Sequence, residues 1–318
     1  MSSTASSGPG RVAEAIPASA RGWAALPAEY AIPERPPSLA EARAYCQRLA
    51  RSHYENFHVA TWFLPERLRP HFYSVYAYCR ISDDLGDEVG DPEAALALLD
   101  EWEAELDACY AGAPRHPVFV ALAETVRTCD LPRQPFADLL QAFRQDQTVS
   151  RYATFDYLLG YCRYSANPVG RIVLYVCGYR DPERQQLSDF TCTALQLANF
   201  WQDVTVDYAK GRIYLPIEDM VRFGVSEQDL ALHRPTPAFL EMMRFQVART
   251  REWFARGLPL ATMVDRELAL DIELFSRGGQ EILNAIERQG YDVLRARPVI
   301  SRPRKLKLLV QAALGKLR

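Results

Sequence analysis

Two pairs of aspartates carry the chemistry most visible in this chain. Asp83 and Asp87 lie in the run Arg80-Ile81-Ser82-Asp83-Asp84-Leu85-Gly86-Asp87, and Asp203 and Asp207 lie in Asn199-Phe200-Trp201-Gln202-Asp203-Val204-Thr205-Val206-Asp207, about 120 residues further on. In each pair the carboxylates stand four apart, which on a helix puts them on one face with Cβ atoms about 5–6 Å apart. Two such pairs facing each other across a bundle would form an all-oxygen cage for a hard divalent cation. Mg²⁺ suits it best, because it takes one or two carboxylates and fills its other positions with water and substrate phosphate. An acidic run is more often a solvated helix face. Here Asp83 to Asp87 continue from Phe72-Tyr73-Ser74-Val75-Tyr76-Ala77-Tyr78, and Asp203 follows Phe200-Trp201. Carboxylates adjoining buried helix are costly to desolvate unless paired or metal-bound, and the spacing occurs twice.

Positioning those carboxylates is a task for helices, and almost the whole chain reads as helical. Ser38 with Glu41 makes a capping box that starts a first helix from Leu39 to about Ser52. Further starts are predicted at Pro65, Asp91-Pro92, Thr154, Asp181-Pro182 and Thr236-Pro237, where a capping residue or a first-turn proline precedes a periodic apolar pattern. Gly112, Pro114, Gly211 and Gly224 act as stops. Arg212-Ile213-Tyr214-Leu215 reads as a short extended link, with no strand-period segment elsewhere. The Ser, Ala, Pro and Gly content of residues 1–36 predicts a disordered N-terminal segment, followed by one all-helical domain over 37–318. Bundles build metal and cofactor sites from inward-facing side chains of neighbouring helices. The fold class expected is therefore all-α, a bundle around a central apolar cavity with the aspartates at one mouth.

A carboxylate cage, Mg²⁺ and an apolar cavity together point to a diphosphate head on a long hydrocarbon tail. The ions would neutralise the departing diphosphate. The allylic or cyclopropylcarbinyl cation left behind survives only where bulk water is excluded. Composition bounds the rest. With 318 residues, 48% of them hydrophobic, the chain can bury a large core, and its net charge of −3 gives no sign of nucleic-acid binding. No apolar run is long enough to span a bilayer and the N-terminus lacks a signal-peptide layout, so a cytoplasmic protein is expected. The seven cysteines are scattered and form no CxxC pair, and the five histidines show no ligand spacing, which fits reduced thiols rather than disulfides or zinc.

The two aspartate runs, their upstream Tyr76-Ala77-Tyr78-Cys79 and Gln196-Leu197-Ala198, and the downstream Lys210-Gly211-Arg212-Ile213-Tyr214-Leu215-Pro216 resemble the signatures of the squalene and phytoene synthase family over about residues 53–309. Tyr54-Glu55-Asn56-Phe57 and Ser165-Ala166-Asn167-Pro168-Val169-Gly170 bring it nearest the branch that forms hydroxysqualene in bacterial hopanoid pathways. The resemblance implies the all-helical isoprenoid-synthase fold. It implies Mg²⁺ held by Asp83, Asp87, Asn199, Asp203 and Asp207, contacts of His53, Tyr76, Arg80 and Gln196 with the diphosphate or the reacting carbons, and a tail cavity lined by Phe57, Tyr161 and Val169. Arg80, one turn before Asp83, is placed to set a guanidinium beside phosphate oxygens.

Two departures from the family pattern bear on the reaction. Gln202 stands where many members carry a basic residue, which removes a phosphate contact and argues against two diphosphates binding at once. Asn167 stands where many carry glycine, and its amide would hold a water near the cation or simply shape the turn before Pro168. The reading is a Mg²⁺-dependent carbon–oxygen lyase that ionises presqualene diphosphate and captures water to give hydroxysqualene. The alternative enzyme is a prenyltransferase joining two prenyl diphosphates head to head, to presqualene diphosphate or phytoene. A non-catalytic helical interaction protein is the alternative from another class. Residues 293–318 hold eight Lys and Arg and no acid, interleaved with Leu306, Leu308, Leu309, Val310 and Leu314. Such a stretch is suited to peripheral contact with an anionic inner membrane surface or to packing as a final helix.

Overall fold

The computed structural model describes residues 17–52, 65–301, 303, 304, 310 and 311. His53 and the Tyr54-Glu55-Asn56-Phe57 run lie outside the described residues, as does most of the basic C-terminal stretch. The described chain is helical, with one isolated parallel bridge between Arg151 and Ile213. That bridge falls in the link read as extended from sequence.

Local signals place the helix ends. Helix α1 spans Ala18–Ala25, and α2 spans Leu39–Ser52 behind the Ser38 box, whose hydroxyl and amide both bond Glu41. Helix α3 spans Arg69–Asp87 and α4 spans Pro92–Ala111. Pro65 opens a turn rather than a helix, and α3 begins only at Arg69. Asp91 caps α4 by accepting from Glu93 N and Ala94 N, and the helix stops at Gly112, whose φ of 82° suits a residue without Cβ. Helices α5 (Pro117–Cys129) and α6 (Gln134–Asp146) follow. Thr154 caps α7 (Phe155–Ser165), and Ala166 turns the chain into α8 (Asn167–Val176). Asp181 caps α9 (Pro182–Gln202), which is continued after a break by α10 (Val204–Ala209). The short α11 (Ile217–Phe223) and α12 (Glu227–Ala231) lead to α13 (Pro237–Gly257), capped by Thr236, and α14 (Arg266–Arg288).

The predicted disorder of residues 1–36 is corrected from Ala18 onward. Gly22 lets α1 lie directly on α4, since a Cβ there would meet Leu98 carbons at 2.7 Å. Arg21 bridges to Asp91 and Glu93, and Trp23 Nε1 donates to Glu101 at 2.7 Å. The 3₁₀ turn Ala28–Tyr30 then buries Tyr30, whose hydroxyl donates to Asp84 at 2.8 Å. Small residues that suggest disorder by composition serve here as close-packing surface.

Two buried clusters flank the centre. One gathers α2 to α6 around Tyr78, Trp102, Phe119 and Phe136; the other gathers α7, α9, α13 and α14 around Tyr152, Trp201, Phe239 and Phe254. Each motif helix is fixed in rotation by a buried polar bond. Trp102 Nε1 donates to Ser82 Oγ on α3 at 2.9 Å, and Trp201 Nε1 on α9 donates to Thr250 Oγ1 at 2.8 Å. An indole N–H buried without an acceptor would cost about 1–3 kcal/mol, so these bonds select one orientation of the helix. All seven cysteines are free thiols, as the sequence predicts. Among the described residues no helix is long and apolar enough to cross a membrane.

Candidate active site

With Tyr78, Ile81 and Leu85 turned into the core, the opposite stripe of α3 carries Tyr76, Arg80, Asp83 and Asp87 at helical spacing. The second motif repeats the device with Gln196, Asn199, Asp203 and Asp207. It crosses the break between α9 and α10, but Asp207 N donates to Asp203 O at 2.8 Å, so one helical turn is kept and both carboxylates stay on one side. All of these stripe residues except Asp203 line one cavity of about 810 Å³ that is open to solvent. Its remaining wall comes from Leu139, Phe143 and Asp146 of α6, Tyr161 and Ser165 of α7, Val169 of α8, Phe200, and the link residues Arg212 and Tyr214. Phe200 and Tyr214 stack at 3.9 Å between centroids, and Tyr161 stands 5.7 Å from Tyr214. Beside the aspartates, the cavity is therefore lined largely by aromatic and aliphatic side chains.

Cations of the chain hold these aspartates. Lys210 Nζ lies 3.0 Å and Arg212 Nη1 2.9 Å from the oxygens of Asp87, which joins the tail of the second motif to the first. Asp203 accepts from Asn199 Nδ2 at 2.7 Å and from Arg297 Nη2 at 3.1 Å. Arg80 forks onto buried Asp84 and lies 3.8 Å from Asp83. Burial would push Asp87 up, but Arg212 and Lys210 hold it below the ordinary carboxylate range. Asp207 is pushed up to about 7 by burial and then by Asp203. Asp83 is pushed up to about 6 by the surrounding protein and then by Asp87, although half of its side-chain surface stays accessible.

The donor set is all oxygen, as a hard divalent ion requires, so the residues fit Mg²⁺ in kind. In the present arrangement, and among the described residues, no three Asp, Glu, His or Cys side chains group closely enough to hold one ion. The aspartates share the cavity but are spread among the cations just named.

The structure brings together most of the residues singled out from sequence. Tyr76, Arg80, Asp83, Asp87, Tyr161, Val169, Gln196, Asn199 and Asp207 line the cavity, and Asp203 adjoins it through Asn199. The guanidinium of Arg80 is steadied by Asp84, which in turn is held by Tyr30. Asn167 is not among the lining residues: it is buried at the start of α8, where its Oδ1 accepts from Thr193 Oγ1 of α9 at 2.9 Å. Gln202 is buried away from the cavity and donates to Pro298 O at 2.6 Å, which ties the C-terminal stretch to the motif and brings Arg297 to Asp203.

Sequence reasoning assigned no role to Asp84, Asp146, Arg212, Tyr214 or Arg297. Arg212 and Tyr214 lie inside the quoted Gly-Arg-Ile-Tyr-Leu-Pro run, so a signal was present. Asp146 and Arg297 have none, since their partners are remote in the chain.

A family model described as squalene/phytoene synthase matches residues 50–304. Among solved structures, the squalene synthase HpnC from Alicyclobacillus acidocaldarius is 46% identical, with a TM-score of 0.76 covering 85% of this chain and 98% of that one. A hydroxysqualene synthase of Rhodopseudomonas palustris is 35% identical over 73% of this chain and 80% of its own length. The 15-cis-phytoene synthase of Synechococcus elongatus is 32% identical over 86% of this chain and 94% of its own. The match over most of the chain, joined to paired aspartate motifs facing one cavity, places this protein in the squalene/phytoene synthase family.

Proposed function

We propose that this chain converts presqualene diphosphate to hydroxysqualene with Mg²⁺ and without NADPH. The observation that carries the reading is one cavity lined both by carboxylates of the two aspartate motifs and by aromatic and aliphatic side chains. Sequence identity of 46% to a squalene synthase HpnC and of 35% to a hydroxysqualene synthase, against 32% to the phytoene synthase over a longer match, supports the choice of reaction. Asp83, Asp87, Asn199, Asp203 and Asp207 would hold the metal, and Mg²⁺ when bound supplies the charge that neutralises the diphosphate as it leaves. Arg80, Lys210, Arg212 and Arg297 set guanidinium and ammonium groups at the same mouth, where they suit phosphate oxygens. Leu139, Phe143, Val169 and the Tyr161, Phe200 and Tyr214 rings take up the tail and keep bulk water from the cation. The basic C-terminal stretch would rest on an anionic membrane surface into which so apolar an alcohol is released.

Phytoene synthases among the relatives favour a second reading, head-to-head condensation of two prenyl diphosphates. Incubation with presqualene diphosphate, and separately with farnesyl diphosphate, followed by mass spectrometry of the organic extract, separates the two. Hydroxysqualene from presqualene diphosphate is expected. Presqualene diphosphate or phytoene accumulating from the shorter substrate would establish the second reading, and no Mg²⁺-dependent diphosphate release from either would leave a binding protein.

A further inference from the structure

Four aspartates line the cavity, and three of them, Asp83, Asp87 and Asp207, belong to the paired motifs. The fourth, Asp146, ends α6 on the aromatic side of the wall, beside Phe143, Tyr161, Phe200 and Tyr214. Its Oδ2 accepts from Tyr161 Oη at 2.7 Å, whereas its Oδ1 is 3.4 Å from Tyr214 Oη. Among the described residues no Lys, Arg or His nitrogen comes within ion-pair distance of it, unlike Asp83 and Asp87. A carboxylate has about four acceptor sites, and one strong bond with one long one leaves Oδ1 capacity for a water. Burial pushes Asp146 up to about 6, which suits a carboxylate that must take up a proton and release it again. Gln196, on the same wall, can hold a water by its amide but cannot accept the proton. The two phenols already direct theirs at Asp146.

We propose that Asp146 orients the capturing water and takes its proton. A lone pair on the water oxygen forms the C–O bond to the cationic carbon, and the proton it sheds passes to Asp146 Oδ1. The product is the neutral alcohol, and the proton later leaves to solvent through the open mouth. This assignment rests on the hydroxysqualene reading and replaces Asn167, which the structure keeps off the cavity wall.

The test is product partition from presqualene diphosphate with Mg²⁺ in ¹⁸O-labelled water, for the native chain and for Asp146→Asn. Removal of the base is expected to lower the ratio of labelled hydroxysqualene to eliminated hydrocarbon at least tenfold, whatever the rate of diphosphate release. If circular dichroism shows Asp146→Asn to be misfolded, Asp146→Ser carries the same test. An unchanged ratio in a folded variant overturns the proposal. So does a folded variant with no diphosphate release, which would put Asp146 in the ionisation step. Failure of the underlying reading is separately visible, because the native chain itself would then yield no labelled hydroxysqualene.

Discussion

Asp271 offers a test of the fold through pH. It lies on α14 with 4% of its surface exposed, and neither carboxyl oxygen has a hydrogen-bond partner among the described residues. Leu268 and Leu274, one turn away on either side, are buried with it. Burial alone pushes its pKa up to about 8. An unfolded chain would return it to roughly 3.9. Between those values the folded state holds a proton that the unfolded state does not, so stability falls as pH rises through the window and levels off above about 8. At ~1.4 kcal/mol per pH unit, the loss between about pH 5.5 and about pH 8.5 is roughly 3 kcal/mol. Asp271→Asn keeps the size and polarity of the protonated acid but cannot titrate. Urea unfolding of both proteins at the two pH values isolates this group, because every other titration cancels in the difference. The variant is expected to exceed the native chain in stability by roughly 2 kcal/mol near pH 5.5 and by roughly 5 kcal/mol near pH 8.5, so its advantage grows by roughly 3 kcal/mol between the two. An equal difference at both pH values would refute the reasoning.

Two further outcomes follow from the site. Asp83→Asn and Asp203→Asn should each lower Mg²⁺-dependent turnover by on the order of a hundredfold or more with helical circular dichroism unchanged; full activity in either would remove that residue from the metal site. Tyr30→Phe strips a hydroxyl from buried Asp84 and should cost about 1–2 kcal/mol in urea unfolding. A native-like midpoint would mean that the N-terminal segment is held by packing alone.

What could be read from sequence was local. The Ser38 box, the Asp91, Thr154, Asp181 and Thr236 caps and the Gly112 and Gly224 stops all act within one turn, and each stands where its chemistry places it. The aspartate stripes were legible for the same reason, since helical spacing determines which residues share a face. What escaped depends on contacts between distant segments. Asn167 looks in sequence like a polar group free to meet the cation, but Thr193 on the neighbouring helix claims it. Gln202 looks like a lost phosphate contact, yet its amide is spent on Pro298 and the adjoining Arg297 brings a positive charge to Asp203. The order of residues 18–30 rests on Gly22 meeting Leu98 and Tyr30 meeting Asp84, neither of which periodicity can reveal.

The pairing of Asp87 with Lys210 and Arg212, and of Asp203 with Arg297, makes the mouth its own counterion. On the proposed reading, a divalent ion arriving alone would part these couples and leave Lys210, Arg212 and Arg297 without their carboxylates. A diphosphate arriving alone must draw the same cations from their carboxylates and strand the acids. When the two come together, each finds the partner that the other has released, and the exchange ends with every charge matched. On that reading occupancy by metal and by diphosphate is linked, and by reciprocity each should raise affinity for the other by the same factor.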